Sequence, residues 1–284
     1  MKVAPDPDSS KAESSFDWSP SGEEESVAAE ADGLPVLHVR KWRSFPQLRH
    51  GFFGRRGGSS AGPLGSLNLS ASVQDDPAAL QTNWAAVRGI IPGMTVLRMR
   101  QVHGVRIVRV RSAEQQVGEA DGLVTDVPGL VLTVLTADCV PLLMVNPVRR
   151  VVAAVHAGWR GTVAGIAESA IRAAEGESGN GCGEWQVSMG PSIGGCCYEV
   201  DAEIGEQLES RWGKMPDAWS RAGRKGQLDL RQANRAILAA CGVRPDLIFT
   251  IGPCTACAET DFFSHRKSRG RAGRQLSYLG WLAN

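Results

Sequence analysis

The chain has 284 residues, 43% of them apolar and 21% charged, with 31 basic and 30 acidic side chains for a formal net charge of +1. This is ordinary globular composition. No apolar run approaches the roughly 20 residues that a membrane-spanning helix needs, and the most apolar stretch, Gly129 to Met144, is interrupted by Asp138 and Pro141. The expectation is a protein without membrane spans.

The first 32 residues carry two Lys against nine Asp and Glu. So polar a segment buries too little apolar surface to offset its ordering entropy. Residues 1–33 are therefore expected to form a disordered acidic extension, with one domain over 34–284. Downstream of residue 32 stand 29 basic and 21 acidic residues, a net +8. A moderately basic globule suits a small anionic ligand, and no Lys/Arg-rich run of about five to eight residues points to nucleic acid. No basic-then-apolar leader opens the chain. Seven Cys without such a leader argue for free thiols in a reducing, cytoplasmic setting. Cys254-x-x-Cys257 has no second CxxC partner, so the count predicts no four-thiolate zinc ribbon, and a redox role for the pair is a weak reading.

In chain order, the segment from Gly51 to Ser60 is dense in Gly and Ser and reads as a loop rather than a strand or helix. Its backbone N–H groups could form an anion nest, with Arg55 or Arg56 clamping a phosphate or carboxylate. It lacks the GK[ST] ending of a P-loop. Asp76-Pro77 reads as an N-cap followed by Pro at the first helical position, and Leu80, Trp84, Val87 and Ile91 then recur at helical spacing. Val96 to Met99 and Val105 to Val110 are short β-type runs. The runs 130–136 (LVLTVLT), 140–145 (VPLLMV) and 151–155 (VVAAV) suit buried strands. A helix should follow His156, with Val163, Ile166, Ala170, Ile171 and Ala174 as its apolar stripe and Gly176 as its stop. Two more helices are expected, one using Val200, Ile204, Leu208 and Trp212, the other Leu230, Ala233, Ile237, Leu238 and Cys241. Strands and helices mix without strict alternation, which predicts an α+β, layered αββα domain with mixed sheets and flanking helices.

The chemistry concentrates at strand ends. His103 lies in QVHG before a strand, Cys139 in TADC between two strands, and His156 at the end of a third. One thiolate and two imidazoles would make a three-ligand zinc site with an open fourth position. Separations of 36 and 17 residues do not match zinc-finger spacing, so other readings stand beside it. Cys139 and His156 could be core residues. Cys139 could equally be a nucleophile activated by either histidine, with Asp138 as a turn cap or an acid/base group. Arg160-Gly161-Thr162 opens the helix after His156, where an anion could meet backbone donors and the Arg160 guanidinium. Thr162 acting merely as a cap is the simpler alternative.

The segments HGFFGRRGGSS, GSLNLS, QVHG, ADGLVT, TADCVPLL, AVHAGWRGTVAG, GPSIGGCCYEV, LDLRQANRAIL and FFSHRKSRGRAGR occur in that order from about residue 48 to the C-terminus. In this they resemble the YfiH-like family, whose members carry the names polyphenol oxidase or laccase-domain protein, purine nucleoside phosphorylase and peptidoglycan editing factor. The resemblance implies one αββα-type domain and a single zinc on His103, Cys139 and His156. It implies phosphorolysis of adenosine, inosine and methylthioadenosine, with adenosine deamination as a further activity. Purine nucleosides and phosphate are the implied partners. Asp138 would then shuttle a proton, Arg55 and Arg160 would hold phosphate, and Ser60 and Asn68 would orient ribose or base. A Cys139 thiol hydrolase or amidase acting on peptidoglycan precursors is the alternative. Copper fits less well than zinc, because five His cannot assemble the second, His-rich cluster of a multicopper oxidase. Gly54 stands where the family often has Thr, and Lys267-Ser268 where it has Arg-Asp.

Overall fold

The computed structural model describes residues 26–31, 33–176 and 182–283. Among them, fifteen strands and five α-helices follow one another. The strands begin with β1 (Ser26–Ala31), β2 (Leu34–Val39) and β3 (Leu48–Phe53), before helix α1 (Pro77–Ile90). Next come β4 (Thr95–Leu97), β5 (Ile107–Arg109), β6 (Gly122–Thr125), β7 (Leu130–Thr136), β8 (Val140–Asn146) and β9 (Val151–Ala157). Helices α2 (Trp159–Val163) and α3 (Ile166–Glu175) lead to β10 (Gln186–Met189), β11 (Glu199–Asp201) and α4 (Ala202–Trp212). The chain closes with β12 (Trp219–Ala222), β13 (Lys225–Leu228), α5 (Leu230–Ala240), β14 (Ile248–Thr250) and β15 (Gln275–Trp281).

Two six-stranded sheets stack face to face, in the orders β1-β2-β3-β15-β7-β4 and β14-β10-β8-β9-β6-β5, and a small third sheet runs β11-β13-β12. The period-2 alternation of strand side chains decides what lies in each layer. Leu130, Leu132 and Val134 of β7 meet Leu143, Val145, Val152 and Ala154 of β8 and β9 in one core between the sheets. Val131 faces the other way and packs with Trp84 and Val87 of α1. Val140, Leu142, Met144, Val151, Ala153 and Val155 face outward onto α3 and α5, through Ile166, Ala170, Ile171 and Ile237. The order helix, sheet, sheet, helix is the expected αββα arrangement.

Local chemistry explains the elements. Asp76 caps α1, its carboxylate accepting the Ala78 N–H, and Pro77 opens the helix. Asp229 caps α5 in the same way through Arg231 and Gln232. Four expectations need correction. Ser26–Ala31, inside the segment read as disordered, pairs antiparallel with β2; SVAAEA has four apolar residues and a single charge. The rest of the acidic extension, residues 1–25 and 32, lies outside the described residues. Gly51 to Phe53 belong to β3, because a Cβ at Gly51 would stand 2.8 Å from the ring of Tyr278 on the paired strand. The single helix expected after His156 is broken in two by Gly165, whose φ of +85° no helix tolerates. Val200 lies on β11, not on the helix that follows it.

Candidate metal centre

Two connections carry the chain from the β1-β2-β3-β15-β7-β4 sheet to the other, and each delivers one candidate ligand to the same edge of the sandwich. The first leaves β4 and reaches β5 through Gln101-Val102-His103-Gly104. The second leaves β7 and reaches β8 through Ala137-Asp138-Cys139. His156, the penultimate residue of β9, points to the same side as Val152 and Ala154, into the mouth of the layer between the sheets. In the β8–β9 register Pro141 faces His156, so Cys139 falls beside the strand end that carries the histidine.

The result is a compact triangle. His103 Nε2 lies 4.0 Å from Cys139 Sγ, and the His103 and His156 rings meet edge to face at 4.7 Å. Donor atoms of all three residues fall within 4.8 Å of one another. His156 is buried, Cys139 half-buried and His103 exposed, so the triangle is anchored at one corner and open at another. Two imidazoles and a thiolate suit a borderline-soft divalent ion with one position left free.

Asp121 holds this geometry. Its fully buried carboxylate accepts N–H groups from His103 at 2.9 Å and Gly104 at 2.6 Å, with Val102 at 3.2 Å, and it bonds His156 Nδ1 at 2.9 Å. One carboxylate therefore bends the His103 loop, where His103 sits at a φ of +61°, and fixes the His156 ring. With Nδ1–H donating to Asp121, it is Nε2 that would lose its proton to bind a metal ion. Gly158 is needed for a different reason. A Cβ there would stand 3.0 Å from both Cys139 Sγ and His103 Cδ2.

Electrostatics binds the same residues. Burial opposes ionisation of Cys139, but the neighbouring His156 charge and hydrogen bonds from both histidines outweigh it and hold the thiol near 6. Burial likewise opposes protonation of His156, yet the Cys139 thiolate and the Asp121 carboxylate raise it to about 9. In the metal-free chain the pair is thiolate and imidazolium.

The other predicted residues are placed as follows. Asp138 does not reach into the triangle to shuttle protons by any contact seen here. Its carboxylate accepts Thr255 Oγ1–H at 2.7 Å and the Arg266 N–H at 2.6 Å, which ties the TADC turn to the 254–266 loop. Arg160 is exposed and stacks over Trp159 at 4.3 Å. Its helix α2 has five residues, too short to concentrate a dipole, and Thr162 accepts a hydrogen bond from Asn234 instead of capping it. Arg55 clamps loops: it donates to the carbonyls of Gly65 and Glu259 and lies over the Phe263 ring at 4.6 Å. Ser60 and Asn68 both donate to Asp75 Oδ2, and Asn68 Oδ1 accepts the N–H of Ser70 and of Arg274. The polar groups of these two residues bond within the network that joins the 60–75 segment to Arg274.

Three features escaped the sequence reading. Asp121 sits in ADGLVT, where an Asp before Gly reads as turn chemistry. Tyr198 and Arg274 lie close enough to feel the Cys139 charge. Burial pushes the Tyr198 phenol up to about 12, so it stays protonated, and Arg266 lies 4.8 Å over its ring. Arg274 loses basicity to burial, while Cys139 and Asp138 act in the opposite direction. The third is a second cysteine group, Cys196, Cys197, Cys254 and Cys257. The expectation of no four-thiolate set rests on the missing second CxxC; in space the adjacent pair at 196 and 197 takes that place.

Comparison with known proteins places the chain in a family. Residues 49–282 match the family model described as multi-copper polyphenol oxidoreductase laccase. A purine nucleoside phosphorylase YlmD from Geobacillus stearothermophilus is 36% identical over 244 residues, 80% of this chain and 87% of that protein. A purine nucleoside phosphorylase from Deinococcus radiodurans is 36% identical over 254 residues, 88% and 94% of the two chains. The crystal structure of the hypothetical protein YfiH from Bacillus licheniformis superposes with a TM-score of 0.80 at 31% identity, covering 89% of this chain and 97% of that one. Matched over nearly its whole folded length in both sequence and structure, the chain belongs to the YfiH-like family, the laccase-like domain of that family model.

Proposed function

We propose that the chain is a zinc-dependent purine nucleoside phosphorylase, converting adenosine and inosine with phosphate into free base and ribose 1-phosphate, and methylthioadenosine into adenine and methylthioribose 1-phosphate. The observation that carries the reading is the His103–Cys139–His156 triangle with its Asp121 anchor. The relatives named purine nucleoside phosphorylase supply the reaction. A His₂Cys set with an open corner favours zinc. The remaining histidines do not extend it to a copper cluster: His38 and His50 bond within the β2–β3 ladder and His265 stands apart from the triangle's ligands. A zinc ion there supplies Lewis acidity at its free position.

The surrounding residues divide the remaining work. Phosphate oxygen attacks C1′ of the ribose, the C1′–N9 bond breaks, and the base departs with the electron pair while positive charge develops on the sugar. Arg160 and Arg274 would hold the dianion, a role supported by the electrostatic reach of Arg160 to Tyr198 and of Arg274 to Cys139, with the Arg274 N–H donating to Asn68. Protonated Tyr198 is the hydrogen-bond donor at the rim. Phosphate-dependent release of adenine and hypoxanthine, followed by chromatography, tests the proposal. Release that ignores phosphate, or that survives unchanged in Cys139→Ala, overturns it. Arg160→Ala should raise KM for phosphate with little change in kcat. Ammonia release from adenosine in the same assay decides whether deamination accompanies phosphorolysis.

One observation favours a second reading: the thiolate–imidazolium pair of the metal-free chain is the arrangement of a thiol hydrolase or amidase. It requires activity on a peptidoglycan-precursor amide without metal, with an acyl group trapped on Cys139.

A further inference from the structure

Strands β10 and β14 are parallel neighbours, so the segments leaving their C-terminal ends run side by side. Ser192 and Cys254 form a parallel bridge, and the Thr255 N–H donates to the Ser192 carbonyl at 3.0 Å. This pairing sets Cys196-Cys197 of one segment against Cys254-x-x-Cys257 of the other. The Sγ atoms of Cys196 and Cys257 are 3.7 Å apart, those of Cys197 and Cys257 are 3.4 Å apart, and all four sulfurs lie within 4.8 Å of one another. Four thiolates at about 2.3 Å from a tetrahedral zinc stand about 3.8 Å from each other. The measured spacings are close to that.

We propose that Cys196, Cys197, Cys254 and Cys257 bind a zinc ion as four thiolates, a second metal site separate from the His103–Cys139–His156 centre. The surroundings suit that ion. Cys254 is buried and its sulfur accepts the Gly194 N–H at 3.2 Å, as a thiolate ligand does. Cys196 and Cys257 are exposed, which gives the ion a way in. A four-thiolate zinc carries a net charge of −2, and the Arg231 guanidinium borders it: a Cβ at Gly194 would lie 3.3 Å from both Arg231 Nη2 and Cys196 Sγ. Binding ionises four S–H groups, sends four protons to solvent and forms four Zn–S bonds, with no change of oxidation state. A disulfide between Cys197 and Cys257 would need an oxidant and would leave the convergence of the other two sulfurs without a purpose.

The ion would fasten the 191–198 segment to the 252–257 segment. The first carries Tyr198. The second carries Thr255, which bonds Asp138 beside the ligand Cys139. The cluster is thereby a positioning element for one wall of the active centre.

Metal analysis of the full chain purified under reducing conditions tests the inference without reference to activity. Wild-type protein should hold about two zinc per chain, and Cys254→Ser/Cys257→Ser about one. The decisive protein is His103→Ala/Cys139→Ala, which leaves the cluster untouched. It should keep about one zinc, and with cobalt in its place should show thiolate charge-transfer absorption of four-sulfur ligation. A metal-free His103→Ala/Cys139→Ala protein, or a Cys197–Cys257 disulfide found by mass spectrometry in the reduced preparation, overturns the proposal. Both results leave the phosphorylase reading standing, since that depends on the other site.

Discussion

Asp121 accepts the His156 Nδ1–H at 2.9 Å with an oxygen that also takes the backbone N–H of His103 at the same distance. A single buried carboxylate thus sets both the orientation of one ligand ring and the loop of another. Asp121→Asn replaces one acceptor oxygen by an NH₂ group facing backbone donors. Zinc affinity should fall about 10- to 100-fold, read by competition with a chromophoric chelator. Unchanged affinity would remove Asp121 from the centre.

Gly158 separates the ligands from the start of α2. Gly158→Ala puts a methyl group 3.0 Å from Cys139 Sγ and from His103 Cδ2. His103 is exposed and has room to shift, whereas Cys139 is half-buried and packed beside the end of β9. We expect zinc content and nucleoside turnover to collapse while Tm drops only a few degrees, about 1 kcal/mol in a domain of this size. Full zinc content with normal turnover would show that the centre has slack the geometry does not reveal.

In metal-free protein the Cys139 thiol is held near 6 and His156 near 9. The lowered Cys139 value stabilises the fold at high pH, and this contribution fades as pH falls through about 6. The raised His156 value stabilises it at low pH, and this contribution fades as pH rises through about 9. Across that window one gain replaces the other, so stability should stay nearly level while reactivity does not. Alkylation of Cys139 by iodoacetamide should reach half its maximal rate near pH 6, against about 8.5 for a free thiol. Zinc should block it. A half-point near 8.5 would dissolve the ion pair.

His50 gives a separate acid response. Burial and the neighbouring His38 push it down to about 3, and its Nε2 accepts the Val39 N–H. Below about pH 6.5 the unfolded chain binds a proton that the folded chain refuses. Stability should therefore decline towards pH 3 by about 1.4 kcal/mol per pH unit from this residue alone. His50→Gln keeps an acceptor and should flatten the slope in urea titrations at pH 5 and 6. An identical slope would place the acid sensitivity elsewhere.

Strong periodicity made most of the fold legible in the sequence. The runs at 130–136, 140–145 and 151–155 are the central strands, and Asp76-Pro77 opens α1 as read. The layer order followed from mixed elements each with one apolar face. The three residues that converge in the triangle were visible as reactive residues at strand ends, although their spacing alone left core and nucleophile readings open. Asp121 was illegible because its partners are backbone N–H groups, which no residue identity announces. The four-cysteine group was missed because its two halves lie some 60 residues apart and meet only through the β10–β14 pairing. Arg55, Ser60 and Asn68 read in the sequence as polar residues among glycines; their bonds to neighbouring loops and to Asp75 depend on long-range packing that no local pattern announces.

The two connections that leave the β1-β2-β3-β15-β7-β4 sheet for the other both meet at the triangle, through His103 on one and Cys139 on the other. An ion gripped there is a rivet through the two plates of the sandwich, resisting their sliding as well as serving chemistry. Its removal should loosen first the ends of β7 and β9 nearest the rivet, leaving the far rim of the plates, where Val145 pairs with Val152, as tight as before.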